Sequence, residues 1–245
     1  MLSTLFENPE HYRIGANYKA TNIVFPVEFE GHKYIIKGLR NSSISQIIQC
    51  YYSFQENLSF NYFRRDSARV GLIREIRTLD QLGGLHSPHL FLADEGLPIL
   101  VREYLNGRDF RNLSSDVEIK RTLDGALDAM VEIHDNNVII GDAHVKNTFL
   151  SNDERAYWLD FDFIGSASKA QDLFKFVYST YTTTRDKDKV IYAAELVKRN
   201  YEDGRVKQEL KEMVSRAEMG LSLWFSTRLP LDGKLCQELK SILAR

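Results

Sequence analysis

Hydrophobic periodicity changes once along this chain, and the change restricts the folds that are open to it. Up to about Tyr104 the apolar stretches are short and rich in Ile, Val, Phe and Tyr, as in strands, whereas most of the remainder repeats apolar residues at helical spacing. No internal repeats, low-complexity runs or long flexible linkers interrupt the 245 residues. A strand-rich first part and a helix-rich second part predict an α+β fold with two lobes that form one unit.

A hairpin and one helix are the clearest elements of the first part. Glu30-Gly31-His32 interrupts the apolar run of residues 20–37 as a hairpin turn does, which predicts two antiparallel strands. Apolar residues at helical spacing predict a helix over 70–82, which Gly83-Gly84 ends. The aromatic stretch 44–65 fits neither period and could be a helix or a loop.

Shorter elements lead from the first part into the second. Strands are expected over 90–93 and 99–104, and Asn106-Gly107 then breaks the pattern where a linker between lobes would fit. The predicted domains are therefore a lobe of strands with one helix over 1–105 and a helical lobe over 106–245. Within the second lobe the expected order is a helix over 119–134, a loop over 140–147, strands over 148–150 and 156–161, and mostly helices from about residue 170.

Charge and cysteine content exclude several classes of protein. Lys and Arg total 32 against 34 Asp and Glu, so the net charge of -2 gives no overall attraction to nucleic acid or to an anionic membrane. Cys50 and Cys236 are the only cysteines, without metal-ligand spacing, which argues against a disulfide framework and a zinc site. The first residues lack the pattern of a secretion signal, and no run of about eighteen apolar residues occurs, so a cytoplasmic location is expected.

Three polar side chains between residues 142 and 160 occur in an order that suits phosphoryl transfer. Asp142 and Asn147 are five positions apart, and Asp160 follows a predicted hairpin that would return it beside Asn147. Phosphoryl transfer needs a carboxylate that orients the attacking hydroxyl, and carboxylate and amide oxygens that hold Mg²⁺ on the phosphates. Asp-rich loops often only cap turns, but both halves of the pattern in this order favour a catalytic site.

The same residues carry a resemblance to the protein-kinase-like superfamily. Gly141-Asp142-x-His144-x-x-Asn147 resembles its H-G-D-x-H-x-x-N catalytic loop, and Asp160-Phe161-Asp162 resembles its D-F-G or D-F-D element. The resemblance implies a two-lobed protein-kinase-like fold with ATP and Mg²⁺ as cofactors. It also implies that Asp142 accepts or orients the hydroxyl proton, that Asn147 binds one Mg²⁺ and that Asp160 binds the metal on the phosphates.

Two charged residues of the first part fit the same resemblance. Tyr34-Ile35-Ile36-Lys37 is similar to the V-A-I-K strand whose lysine holds the ATP phosphates, and Glu75 is similar to the helical glutamate that pairs with that lysine. Lys33 is a competing lysine, but it directly follows a turn, where exposure to solvent is expected. Lys37 is therefore the predicted phosphate-binding and catalytic lysine.

The expected nucleotide site departs from the family pattern in several places. The segment 100–107 is similar to the strand-to-hinge segment, which implies that backbone groups of Glu103 and Leu105 bind adenine; an edge strand that leads into a turn is the alternative. No G-x-G-x-x-G occurs, so Gly15 would belong to a minimal phosphate-covering loop. Ile35 and Arg102 are unusual in an adenine pocket and favour a pseudokinase.

The segment that begins at Lys169 follows Asp160-Phe161-Asp162 almost at once and no A-P-E element occurs, so an extended activation segment does not fit. In this respect the chain resembles RIO-type, KEOPS-complex-type or Kdo and lipopolysaccharide-type kinases more than conventional protein kinases. Within those groups an aspartate in a D-L segment supports the catalytic loop, and Asp172-Leu173 matches it; a solvated aspartate at a helix start is the alternative.

The predicted function is that of an ATP- and Mg²⁺-dependent atypical kinase. It would transfer the γ-phosphate to a hydroxyl on a protein, a sugar or another small molecule, and the missing activation segment slightly favours a small or glycan acceptor or autophosphorylation. One alternative is a pseudokinase-type module that binds nucleotide or a protein partner without transfer, with the aromatic stretch from Tyr51 to Phe63 as partner surface. Another is ATP hydrolysis as a switch within a complex.

Overall fold

The computed structural model describes residues 9–14, 22–39, 68–97, 99–161, 168–215 and 233–243. Seven strands in two sheets and six α-helices lie within these ranges, and they confirm the predicted α+β class. Gly15, Asp162 and the aromatic stretch 44–65 lie outside the described residues, so the roles predicted for them stay predictions.

The larger sheet is antiparallel and belongs to the first part of the chain. Its strands are β1 (Asn22–Phe29), β2 (His32–Leu39), β3 (Leu90–Asp94) and β4 (Ile99–Glu103). They lie in the order β1-β2-β4-β3, so β2 and β4 are the central strands. Glu30 and Gly31 join β1 to β2 with positive φ angles of 52° and 76°, as a two-residue type I′ hairpin turn requires.

The two faces of this sheet carry different side chains. Ile36 on β2 and Val101 on β4 pack with Phe25 in a small cluster on one face. Because successive side chains of a strand alternate, Lys37 and its cross-strand partner Leu100 point to the opposite face. Leu100 joins the main core there, so Lys37 is directed towards the interior of the molecule.

Helix α1 (Ala68–Leu82) covers the face that carries Lys37 and contacts β2 and β3. Its buried apolar side chains are those of Leu72, Ile76, Leu79 and Leu82. Glu75 lies on the same buried side of the helix and is fully buried. Gly83 ends the helix with φ of 56° and an N–H bond of 3.0 Å to the carbonyl of Leu79, as the sequence predicts.

A second sheet of three strands follows, made of β5 (Gly107–Asp109), β6 (Thr148–Ser151) and β7 (Ala156–Trp158). Gly107 begins β5, and residues 104–106, which belong to neither sheet, connect β4 to it, so the linker expected at Asn106-Gly107 stays a prediction. This glycine has φ of 153°, and a Cβ atom there would overlap the carbonyl oxygen of Leu150 on β6. The absence of a side chain thus allows the close approach of β5 and β6.

The strand predicted over 156–161 ends earlier, at Trp158. Leu159 donates its N–H to the carbonyl of Asn147 at 2.9 Å instead of extending the ladder with β6. Trp158 itself is fully buried, and its indole N–H donates to the carbonyl of Ala126 at 3.0 Å. This bond fixes the β6–β7 hairpin to the helix that contains Ala126.

The helical part consists of α2 (Asp116–Asp135), α3 (Lys169–Thr184), α4 (Lys187–Asn200), α5 (Gly204–Ser215) and α6 (Gly233–Leu243). Helix α3 is buried over most of its length and packs against α4 and α5, while α4 also contacts α2 and α6. Ser168 starts α3 with a capping box to Gln171, and Ser115 caps α2. None of the described helices combines the length and the apolar character that crossing a membrane requires.

Candidate active site

Lys37 lies at the centre of a buried cluster of charged side chains. Its side chain is 1% exposed, its Nζ atom forms an ion pair with Glu75, and it donates to Oδ1 of Asp160 at 2.9 Å. The competing Lys33 is exposed, and its Nζ atom lies 5.7 Å from the ring centroid of Tyr104. The structure therefore brings Lys37, and not Lys33, together with Glu75 and Asp160.

Arg102 is a second buried cation in this cluster. Its NH1 group lies 3.2 Å from Oε1 of Glu75 and also donates to the carbonyl oxygen of Leu159. Glu75 thus has one oxygen towards Lys37 and the other towards Arg102. From the sequence, Arg102 stands out only as a departure from the family pattern. The alternation of side chains along strands would have indicated its position: Arg102 pairs with Ile35, and Ile35 is two residues from Lys37 and so lies on the same face of the sheet.

The cluster is electrically balanced in a part of the molecule that is shielded from water. Lys37 and Arg102 carry two positive charges, and Glu75 and Asp160 carry two negative charges, with residue exposures between 0% and 7%. Buried charges are tolerated when each has a partner and a hydrogen bond, and removing one partner typically costs about 3–5 kcal/mol. This arrangement fixes the positions of all four side chains relative to β2, β4 and α1.

The loop before β6 brings Asp142 and Asn147 together. Asn147 donates from Nδ2 to Oδ2 of Asp142 at 2.7 Å and to the backbone carbonyl of Asp142 at 3.0 Å. Gly141 has φ of 84°, which favours glycine, and so turns the chain sharply before Asp142. A 3-10 turn over Val145–Asn147 completes the loop and delivers Asn147 to the start of β6.

The loop and the Asp160 element are held side by side by the β6–β7 hairpin. Thr148, next to Asn147, pairs with Trp158, and the Leu159 N–H bond to the Asn147 carbonyl adds the next link. Asp160 follows immediately and reaches Lys37. Asp142, Asn147, Asp160, Lys37 and Glu75 are therefore joined by a continuous chain of contacts, as the predicted site requires.

Asp172 supports the loop from helix α3. It is fully buried, and it accepts hydrogen bonds from the N–H groups of Ile140 and Gly141, each at 2.8 Å. His134 Nε2 lies 3.0 Å from the same carboxylate. The alternative of a solvated aspartate at a helix start is therefore wrong, and the loop-supporting interpretation fits the contacts.

Two further buried groups complete the support of this loop. Lys175 lies one turn after Asp172 on α3 and donates from Nζ to the carbonyl of Gly141 at 2.7 Å. Tyr201 lies 2.8 Å from Nδ1 of His134 through its hydroxyl group. Burial raises the pKa of the Tyr201 hydroxyl, so it stays neutral and can donate to His134. The sequence motifs do not predict these contacts, because the bonded residues are 34 and 67 positions apart in the sequence.

His144 lies beside the predicted base. Its Nε2 atom is 3.0 Å from the hydroxyl of Tyr178 and 3.7 Å from Oδ1 of Asp142. Its ring stacks edge to face on Tyr178, with the centroids 5.3 Å apart. The hydrogen-bonded role that is usual for a lone loop histidine accounts for these contacts.

The oxygen atoms near Asn147 fit the binding of Mg²⁺. Asn147 uses Nδ2 for Asp142, which leaves its amide oxygen as a ligand, and Asp160 supplies a carboxylate. Mg²⁺ sites on nucleotides commonly use one or two such protein oxygens, with phosphates and waters as the other ligands. No group of three or more His, Cys, Asp and Glu side chains suited to a metal occurs in the described part of the chain, and a nucleotide-borne Mg²⁺ does not require one.

The predicted adenine contacts lie at the end of β4. Glu103 donates its backbone N–H to the carbonyl of His89 at 2.9 Å, so this N–H is already used within the sheet. The adenine contacts would therefore use the carbonyl group of Glu103 and the N–H group of Leu105. Leu105 lies on the irregular stretch that follows β4. The hinge assignment of Glu103 and Leu105 stays a prediction.

Comparisons with known proteins add the following. No protein-family model matches the chain, and no curated protein matches it. Among solved structures, WaaP in complex with acyl carrier protein has 15% identity and a TM-score of 0.49, with 96% of this chain and 92% of that chain covered. The Rio2 kinase from Chaetomium thermophilum, in an ADP/Mg²⁺-phosphoaspartate complex, also has 15% identity and a TM-score of 0.49, with 99% of this chain and 73% of that chain covered. Similarity at this level transfers no activity to this chain.

Proposed function

We propose that this protein is an ATP- and Mg²⁺-dependent kinase that transfers the γ-phosphate of ATP to a hydroxyl group. The observation that carries the proposal is the buried Lys37, which contacts Glu75 on α1 and Asp160 beside the catalytic-type loop. A lysine that merely stabilised the fold would not require a second carboxylate next to an Asp142–Asn147 pair. Phosphate positioning requires this combination, because catalysis of phosphoryl transfer depends mainly on positioning and on charge neutralisation.

The proposed roles follow from the contacts of each side chain. Lys37 would bind the phosphates, with Glu75 fixing its orientation. Asp160 and the amide oxygen of Asn147 would hold Mg²⁺, which neutralises charge on the transferred group when MgATP is bound.

Asp142 is the residue that would receive the proton of the acceptor hydroxyl. Asn147 fixes its Oδ2 atom, whereas Oδ1 is buried and has no hydrogen-bond partner among the described residues. A buried carboxylate oxygen without a donor is costly, and a hydroxyl group that donates to it would remove that cost. The orientation of Asp142 thus suits a base that binds the attacking group of an acceptor.

The acceptor is a protein hydroxyl, a sugar or another small molecule. Only residues 162–167 separate the Asp160 element from Ser168, the cap of α3, which leaves no length for an extended peptide platform. A small or glycan acceptor, or a hydroxyl of this protein itself, is favoured for that reason.

Nucleotide binding without transfer is a second candidate function. In the sequence it is favoured by Arg102, which is unusual for a kinase at the position directly before the expected hinge residues. The two functions differ in the fate of the phosphate and not in the fold, so one experiment separates them.

The test is incubation of the protein with γ-labelled ATP and Mg²⁺, alone and with cell extract, followed by identification of the labelled species. Label on the protein or on an extract component supports the kinase, release as inorganic phosphate supports hydrolysis, and binding with neither supports the silent module. Asp142→Asn should lose transfer and keep nucleotide binding. The exposed Asp80→Asn on α1 is the matched control, and it should behave like the unmodified protein.

A further inference from the structure

Arg102 contacts both sides of the proposed nucleotide site. It is 7% exposed, and its NH1 group reaches Glu75 on α1 and the carbonyl oxygen of Leu159, the residue before Asp160. One side chain of β4 therefore connects the helix that orients Lys37 with the segment that carries the metal-binding carboxylate.

The contacts of Lys37 and Arg102 differ in how MgATP would affect them. Lys37 bonds to Asp160, and this contact has to loosen when Lys37 binds phosphate and Asp160 binds a metal ion. Arg102 bonds to Glu75 and to a backbone carbonyl, and neither group is required by the nucleotide. The contacts of Arg102 can therefore persist when those of Lys37 change.

Glu75 would lose its fixed position without Arg102. Its two oxygens are divided between the two cations, Oε2 towards Lys37 and Oε1 towards Arg102. A carboxylate that lacks the second partner can turn both oxygens towards the ammonium group of Lys37, because each buried oxygen needs a donor. Lys37 would then be held more strongly by Glu75 and Asp160 and would be less available to phosphate.

We infer that Arg102 is a positioning residue, which holds Glu75 and the Leu159–Asp160 backbone in the positions from which Lys37 can bind the phosphates and Asp160 can bind Mg²⁺. The inference rests on the proposed function, since it assigns Arg102 a task in binding MgATP. This role differs from the interpretation of the sequence, in which Arg102 favours a pseudokinase, because it makes Arg102 part of an active site.

The experiment compares Arg102→Met, Arg102→Lys and the control Arg77→Met in the full chain. Arg77 lies on α1, but its side chain is 69% exposed and pairs with Glu95 at 2.7 Å, away from the cluster. The measurements are kcat and KM for ATP, and the affinity for MgATP and for ATP without Mg²⁺ by titration calorimetry. Loss of a group that orients the ligands of a metal site commonly costs about 10–100-fold in metal affinity or activity. Arg102 contacts the backbone next to the proposed metal ligand Asp160, so kcat/KM for Arg102→Met should fall at least tenfold.

Arg102→Lys keeps the charge but has a single nitrogen, so it should recover part of this loss. Arg77→Met should retain the values of the unmodified protein. A purely structural role of Arg102 would lower the melting temperature and leave the affinity of the folded fraction for MgATP unchanged. If Arg102→Met does not fold, Arg102→Lys decides, and kinetic constants equal to those of the unmodified protein would overturn the inference.

A double-mutant cycle with Glu75→Gln tests whether Arg102 acts through Glu75. In the Glu75→Gln background the further effect of Arg102→Met on MgATP affinity should shrink to less than about twofold, because coupled residues are not additive. Full additivity of the two effects would overturn the inference. Failure of the unmodified protein to bind MgATP would instead overturn the proposed function, and with it the task assigned to Arg102.

Discussion

Replacing Asp172 by asparagine would test how the loop that carries Asp142 is supported. One carboxylate oxygen accepts from the N–H of Gly141 and the other from the N–H of Ile140, each at 2.8 Å, and His134 Nε2 lies 3.0 Å from the second oxygen. An asparagine amide has a single oxygen. Whichever way it turns, one loop N–H group faces an NH₂ donor in place of an acceptor.

The size of the effect follows from these contacts. A buried donor that loses its acceptor costs about 1–3 kcal/mol, and the remaining loop bond weakens from about 1.5–3 to about 0.5–1.5 kcal/mol when its acceptor loses charge. Asp172 is fully buried, so water does not replace the lost acceptor. The expected fall in the free energy of unfolding is therefore about 2–4 kcal/mol.

Urea unfolding of the two proteins measures this difference directly. Asp80→Asn removes the same charge from an exposed position on α1 and should change the free energy of unfolding by no more than about 0.5 kcal/mol. ATP turnover should also fall in Asp172→Asn, because the loop that positions Asp142 is loosened. A loss of stability no larger than that of Asp80→Asn would refute the reasoning, since it would show that the loop amides do not depend on the carboxylate.

Three further outcomes are expected. Asp142→Asn should lower phosphate transfer by about 10²–10⁴-fold and leave ATP affinity unchanged in calorimetry; retained turnover would contradict the assigned base. Asp160→Ala should remove the Mg²⁺-dependent part of ATP binding, and an equal gain in affinity from Mg²⁺ in both proteins would count against the metal role. The raised pKa of Tyr201 means that the unfolded chain loses this proton first, so stability falls as pH rises above about 10. Tyr201→Phe should show a smaller fall between pH 9 and 11 in urea unfolding, and an identical pH dependence would contradict the assignment.

The elements that the sequence predicts well are those with a regular apolar pattern. The β1–β2 hairpin and α1 are found where the patterns place them, because a turn or a glycine pair marks their ends. The strand over 156–161 is predicted too long, since Phe161 packs in the core without joining the ladder. Apolar character indicates burial in this case and not backbone pairing.

In the candidate site, contacts between residues that are close in sequence are predicted, whereas contacts between residues that are far apart in sequence are not. Asp142 and Asn147 are close in sequence, so their spacing predicts their contact. Arg102 and His134 act through partners that are 27 and 38 residues away, which no local pattern reveals. Strand parity indicates the face on which Arg102 lies, but its bond to Glu75 also depends on how α1 packs on the sheet.

Because of the β6–β7 hairpin, the number of residues between Asn147 and Asp160 does not determine how close these two side chains lie. Asn147 and Asp160 are brought together by the paired Thr148 and Trp158 at the open end of the hairpin, while residues 152–155 form an exposed turn at its other end. Related chains can therefore differ in length at that turn and keep the same separation between Asn147 and Asp160, the two side chains proposed to bind Mg²⁺. In an alignment, a gap between Asn147 and Asp160 would be compatible with an intact site, whereas a gap between Asp142 and Asn147 would not.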